Sequence, residues 1–440
     1  MAITRSLGIG TSSLRAHQQK FDVISNNLAN LNTIGYKSNR ANFQEQFNQI
    51  RSYGMSPNAQ GEGTRGGTNP VQFGLGVKMG SISKDMSQGA TETTNRPLDM
   101  AIQGEGFFIY EQNGQQLFSR AGAVAMDENG NLVDSSSGAF LQGYNVETDA
   151  NGNIIKDANG VNALTSTRDN LSIDENVISS PAQTENVSLM GNLKSSNEEG
   201  FEKKTSIKIY DNVGGTHDLQ LSFTKTANPN EYTVAASVDG NDVALNETTV
   251  LFNNDGSLQS PQSGSISAAD LNAALGTTSF DETTPQDLTV NFNDPNNPTM
   301  GLKSYATNNS VTISSQDGHG PGSLNGLEVD DKGQVWGAFS NGQSEVLGQV
   351  LVAKFTNSEG LENSGGNFYK VSPNSGDPNI GTAVDIFPST KIRGYALEQS
   401  NVDMTRQFTD MISTQRAYEA SARTITVSDK ILGETTILKR

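Results

Sequence analysis

Three histidines, His17, His217 and His319, are the side chains best suited to metal ligation or proton transfer, and they lie far apart in the sequence. An imidazole-based metal centre needs several of them at close spacing. A Ser-His-Asp site needs a nucleophile on a strained turn. His17 falls in a helical pattern, whereas His217 and His319 fall in Gly-rich, turn-like stretches that carry no such nucleophile. Gly61, Gly63 and Gly66 match G-x-G-x-x-G, but no strand leads into them and no helical pattern follows, so the match lacks the context of a dinucleotide cradle. Asp127, Asn129 and Asn131 have calcium-loop spacing, yet Leu132 stands where that loop needs Gly and Gly138 where it needs a closing Glu. This stretch, Asp149–Ile154 and Asp330–Val335 share an Asp-led Gly turn and read as hairpins. Carboxylates for glycoside hydrolysis are plentiful but unmarked, and Trp336 is the lone tryptophan. With no cysteine, thiol nucleophiles, disulfides and Cys-based metal sites are excluded. The expectation is no catalytic residue, no cofactor and no metal.

Charge directs attention elsewhere. The 440 residues carry 30 basic and 48 acidic side chains, a net −18. Residues 1–51 and 391–440 together sum to +6, which leaves −24 for the middle. An acidic chain is a poor partner for nucleic acid. No apolar run approaches the roughly 20 residues of a membrane span, so no membrane insertion is expected. The first residues lack the apolar core of a cleavable secretory signal.

The ends read as helices. Ile3, Leu7, Leu14, Phe21, Ile24, Leu28 and Leu31, with Gly10 and His17 in the remaining slots, alternate spacings of three and four. Gly35 reads as a stop signal. Met404, Phe408, Met411, Tyr418, Ala422, Ile425 and Leu432 repeat the pattern, interrupted by Gln415 and Asp429. Isolated helices are marginal in water, so these seams are expected to order mainly on assembly. Between them lie a Gly-rich polar stretch, 54–69, and then short strand-like runs such as Val77–Ile82, Gly106–Tyr110, Asp218–Lys225 and Val335–Phe339. No helices alternate with these runs. The fold class expected is mainly β and multi-domain, with antiparallel barrels or sandwiches and coiled-coil-forming helical ends.

Several motifs resemble one family. Ala29, Asn30, Thr33, Gly35, Tyr36 and Lys37 meet the N-terminal signature of bacterial flagellar rod and hook axial proteins, with Tyr36 in place of the commoner Phe. Asn401, Val402 and Asp403, followed by Gln415 and Arg416 within 411–418, resemble the C-terminal signature. Residues 97–108 look like the start of the family's first globular domain, 340–361 like its return segment, and 210–225 like the inserted outer domain of the hook members.

The resemblance implies a structural subunit of a curved, hollow flagellar joint that transmits torque from motor and rod to filament. It implies a helical homopolymer meeting the distal rod, hook cap and hook–filament junction proteins, exported by the flagellar type III apparatus and located outside the cytoplasm. The domains mapped from it are 1–32 with 395–440 as the terminal helical unit, 33–72 as connector, 73–145 with 301–394 as inner domain and 146–300 as outer domain. Two other readings stay open: a distal rod protein, and an enzyme carried on an axial scaffold.

Overall fold

The computed structural model describes residues 2–57, 66–147, 154–156, 161–281, 287–293, 300–386 and 390–437. All of the Gly61–Gly66 match except Gly66, and the Asp149 turn up to Asn153, lie outside the described residues. So does the side chain of Ile3. The protein is mostly β with helical ends, as the sequence pattern predicts.

The N-terminal helix, Ala2–Ala29, and the C-terminal helix, Met404–Ile437, hold 28 and 34 residues. At 1.5 Å per residue they are about 42 and 51 Å long. Asp403 caps the second: its Oδ1 accepts from the amides of Thr405 (2.9 Å) and Arg406 (3.1 Å). The first ends earlier than Gly35, in a turn where Asn30 N–H donates to the Asn26 and Asn27 carbonyls.

The chain then folds back as a two-stranded ribbon. Asn39–Glu45 pairs antiparallel with Val77–Lys84, and Asn48–Ser52 with Val71–Gly74. The expected connector boundary at 72 therefore falls inside a paired strand. The ribbon runs back along the N-terminal helix. His17 meets Phe43 edge-on at 5.4 Å, and the Arg5 guanidinium lies 5.1 Å from the Phe73 ring.

Two β bodies follow. The outer one packs a six-stranded sheet, including Glu202–Tyr210, Thr216–Lys225 and Glu231–Val238, against a five-stranded sheet built around Asn186–Asn192. Alternation drives it: Leu219, Leu221 and Phe223 point into the core while Gln220 and Ser222 do not. This core spans Val187 to Val311. The inner body uses residues from Met100 to Ile173 and from Val329 to Ile392. Leu171 and Ile173 thus pack inside the inner core, and Leu302 in the outer, so neither core changes at 146 or 300. In the strand Phe107–Gln112, Phe108 and Tyr110 enter one inner cluster while Phe107 and Ile109 enter the other. An unbroken apolar run suits a strand covered on both faces.

Entering and leaving segments run side by side. Met100–Gln103 pairs with Lys391–Gly394, and Thr91–Thr93 with Ala396–Glu398. This ladder delivers both chain ends to one place.

Candidate assembly interface

At that place lies a buried charge triad. Lys37 Nζ donates to Glu398 Oε1 at 2.7 Å and to the Ser87 carbonyl at 2.6 Å. Arg120 donates to Glu398 Oε2 at 3.3 Å and to the Gly104 carbonyl at 2.8 Å. The Gly89 amide donates to Glu398 Oε1 at 2.8 Å. Side-chain exposure is 1% for Lys37, 5% for Arg120 and 0% for Glu398. Burial pushes the pKa of Lys37 and of Arg120 down, and Glu398 opposes this in both. Two cations thus share one carboxylate, and Arg120 Nε has no hydrogen-bond partner.

The other signature residues surround the triad. Gly35 adopts φ +69°, donates to the Glu398 carbonyl, and sits so close to the inner body that a Cβ would come within 2.6 Å of the Ala121 nitrogen. Only glycine suits both conditions. Tyr36 OH donates to Asn27 Oδ1, and burial raises its pKa. Asn27, 1% exposed, holds the start of the ribbon through both backbone groups of Asn39. Thr33 donates to Asn30 Oδ1 at 3.1 Å, while Ala29 is exposed. Asn401 Oδ1 accepts from the Ser38 amide at 2.7 Å, and its Nδ2 donates to the Asp85 carbonyl at 2.8 Å. Val402 is buried, and Asp403 caps its helix. Lys37, Gly35 and Asn401 thus meet at one junction. Glu398, Arg120 and Asn27 complete it without having been singled out; no local sequence signal links Lys37 to a carboxylate 361 residues away.

The helices form an antiparallel pair, and their contact is narrower and more polar than the seams suggest. Ser6 Oγ lies 3.0 Å from Ser428 Oγ, Ser13 Oγ 2.8 Å from Ser421 Oγ, and Asn27 Nδ2 3.3 Å from Gln407 Oε1. A Cβ at Gly10 would come within 2.8 Å of Ile425 Cγ1. Thr414 and Ser428 are buried. Small residues let the helices approach closely; Ile24 and Ile425 pack among them, while Phe21, Met404, Phe408 and Tyr418 lie to one side. Ile24 is buried; Leu7, Leu14, Leu28, Leu31, Met411, Ala422, Ile425 and Leu432 are half-buried. Phe21, Met404, Phe408 and Tyr418 are 39–46% exposed, and Gln415 and Arg416 are exposed too.

At about 100° per residue, Leu7, Leu14 and Phe21 lie on the flank turned away from the ribbon. Phe21 and Tyr418 open on one side, where with His17, Thr414 and Gln415 they line a groove of about 360 Å³. His17 Nδ1 is buried there without a partner, and its pKa is lowered by burial and then by Lys20.

The remaining candidates are structural. Asp127 accepts from the amides of Asn129 and Asn131 and from Asn131 Nδ2, so its carboxylate closes its own turn. Asp330 does the same with Lys332 and Gln334. His217 lies on the strand Thr216–Lys225 rather than in a turn, and its Nδ1 pairs at 2.8 Å with Asp239 in a neighbouring turn of the outer body. Among the described residues, no group of three or more His, Asp or Glu could hold a metal, and no helix is long and apolar enough to cross a membrane.

Paired terminal helices, a split inner body and an inserted outer sandwich define an axial protein of the bacterial flagellum. Family profiles agree in chain order: the Flagella basal body rod protein family at 7–37, the Flagellar hook protein FlgE/F/G D1 domain at 101–189, the Flagellar basal body protein FlaE D2 domain at 174–319 and the Flagellar basal body rod FlgEFG protein C-terminal family at 393–438. The chain is 34% identical over 474 aligned residues to the flagellar hook protein FlgE of Treponema pallidum, covering 99% of this chain and 100% of the relative. It is 33% identical to that of Escherichia coli, covering 96% of each. The chain belongs to the flagellar hook protein FlgE family and is a structural subunit of the hook.

Proposed function

We propose that the chain polymerises into a curved, hollow tube whose permanent contacts are made by the apolar flanks of its terminal helices. The supporting observation is the open face itself. The helix pair closes through Ser, Thr and Gly, leaving Phe21, Met404, Phe408 and Tyr418 uncovered along one side. Contiguous apolar exposure of this kind marks an interaction surface. In this reading Leu7, Leu14, Phe21, Ile24, Leu28, Leu31, Met404, Phe408, Met411, Tyr418, Ala422, Ile425 and Leu432 form the polymerisation seam. The triad and its neighbours carry load from the helices into the β bodies. The inner and outer domains divide near Ala182 and His319, whose backbones pair where the two connecting strands enter the outer body.

The tube transmits torque as a flexible joint, meets distal rod, hook cap and hook–filament junction proteins at its ends, and reaches its place outside the cytoplasm through the flagellar type III apparatus without a cleavable signal. It performs no catalysis.

Phe408→Asp tests the seam. Phe408 is 45% exposed, so the change leaves the folded chain intact. The expected result is unchanged circular dichroism of the β bodies and loss of tubes in electron micrographs. Normal tubes from this variant would refute the seam. Straight rather than curved tubes from the parent would refute the joint.

A further inference from the structure

The outer body hangs from the inner one by two strands, Ile178–Ser179 and Gly322–Val329, which pair antiparallel as Ile178 with Ser323 and Ser179 with Gly322. Packing does little to fix this crossing. Ile178 is 61% exposed, and a cavity of about 560 Å³ lined by Ile173, Val177, Ile178 and Leu347 lies against the linker. A segment beside an open space lacks the close packing that makes protein interiors resist displacement.

Polar contacts take its place. Ser179, fully buried, donates to Glu345 Oε1 at 3.0 Å and accepts from Asn341 Nδ2 at 3.3 Å. Asn341 Nδ2 also donates to the Gly320 carbonyl, two residues before the second strand, at 3.0 Å. Glu345 is anchored on the inner body by Lys156 Nζ at 3.1 Å and Asn162 Nδ2 at 3.3 Å. Gly322 faces this group so closely that a Cβ there would lie 2.5 Å from the Asn341 side chain. Asn341 lies in the turn between the inner-body strands Gln334–Phe339 and Ser344–Val350, and Glu345 lies on the strand that leaves it, so a single hairpin grips both crossing segments.

We propose that Ser179, Asn341 and Glu345 form a latch that fixes the pose of the outer body on the inner one. Each link is a buried or half-buried hydrogen bond, and the series Asn341 to Ser179 to Glu345 ends on a charge, which strengthens every member. Removing the Ser179 hydroxyl breaks the series in the middle without touching either core. In the proposed tube, the latch sets the angle at which each outer body meets its neighbours. That consequence rests on the tube reading; the latch itself does not.

The absence of cysteine makes the test clean, because two introduced thiols are the chain's only labelling sites. Spin labels at Gln115→Cys and Asp242→Cys, both exposed, report the distance between the bodies in the full-length chain by pulsed electron resonance. The parent is expected to give one narrow distribution. Ser179→Ala, and separately the Asn341→Ala/Glu345→Ala pair, are expected to broaden it at least twofold while both bodies unfold at parental urea midpoints. Should the double substitution disturb folding, Ser179→Ala removes a single oxygen and decides alone. Parental width in the double variant overturns the latch, and broadening there with parental width in Ser179→Ala overturns the role of the hydroxyl.

Discussion

The charge count at the junction predicts an asymmetry between its members. Lys37 and Arg120 share Glu398, and all three side chains are at most 5% exposed, so solvent screening is negligible. Glu398→Leu leaves two buried cations without a counter-charge and removes the acceptor of the Gly89 amide. Breaking a buried pair in this way costs about 3–5 kcal/mol. Lys37→Met instead leaves one cation against one carboxylate. It forfeits a charge-assisted bond to Glu398 and one to the Ser87 carbonyl, but removes the desolvation penalty of a buried ammonium. Its expected net cost is roughly 1–2 kcal/mol. The two variants should therefore differ by about 1–4 kcal/mol, with Glu398→Leu the less stable. Urea unfolding followed by fluorescence of Trp336, the sole tryptophan and a member of the inner-body strand Gln334–Phe339, reads the relevant body directly. If Glu398→Leu loses no more stability than Lys37→Met, the argument from two cations on one carboxylate is refuted.

Two further perturbations address the helix pair. Gly10→Val places a branched side chain where even a Cβ meets Ile425 at 2.8 Å; the helices must part, and amide exchange across 6–13 and 421–428 should quicken by at least tenfold with the β bodies unaffected. His17 has a lowered pKa in the fold, so the unfolded state binds its proton first as pH falls. Stability of the helix pair should decline on acidification from its ordinary pKa of 6.5 down to the lowered value and then level off. Thermal melts of the helical signal between pH 7 and pH 5 check this, and an equal pH slope in His17→Gln would show that another group is responsible.

Apolar periodicity makes the presence of both helices legible in the sequence, but not which face meets which. The pattern gathers Leu7, Phe21, Phe408 and Tyr418 into seams because it weighs only hydrophobicity. The intramolecular contact is made by Ser6, Ser13, Ser421 and Ser428, whose hydroxyls pair at close approach. The outer strands Thr216–Lys225 and Glu231–Val238 are legible because each has one wet and one dry face. The strands Asn39–Glu45 and Asn48–Ser52 are not: neither has a fully buried residue, so no alternation is imposed on their side chains. Lys37 is legible as part of a signature, yet its role depends on Glu398 and Arg120, which only the completed fold brings near.

The arrangement also decides where a tube of these chains can yield. Shifting the helices against the inner body would pull Lys37 from Glu398 and Asn401 from Ser38, exposing charges already stripped of water, at several kcal/mol. Sliding exchanges between wet polar surfaces cost far less, since water replaces each broken bond. In the proposed tube, compliance therefore belongs to contacts between neighbouring β bodies, not to the junction at Gly35 or to the buried latch at Ser179. Bending the proposed tube would then leave the contacts between terminal helices unchanged while the acidic middle of each chain takes up the difference in path between the inside and the outside of the curve.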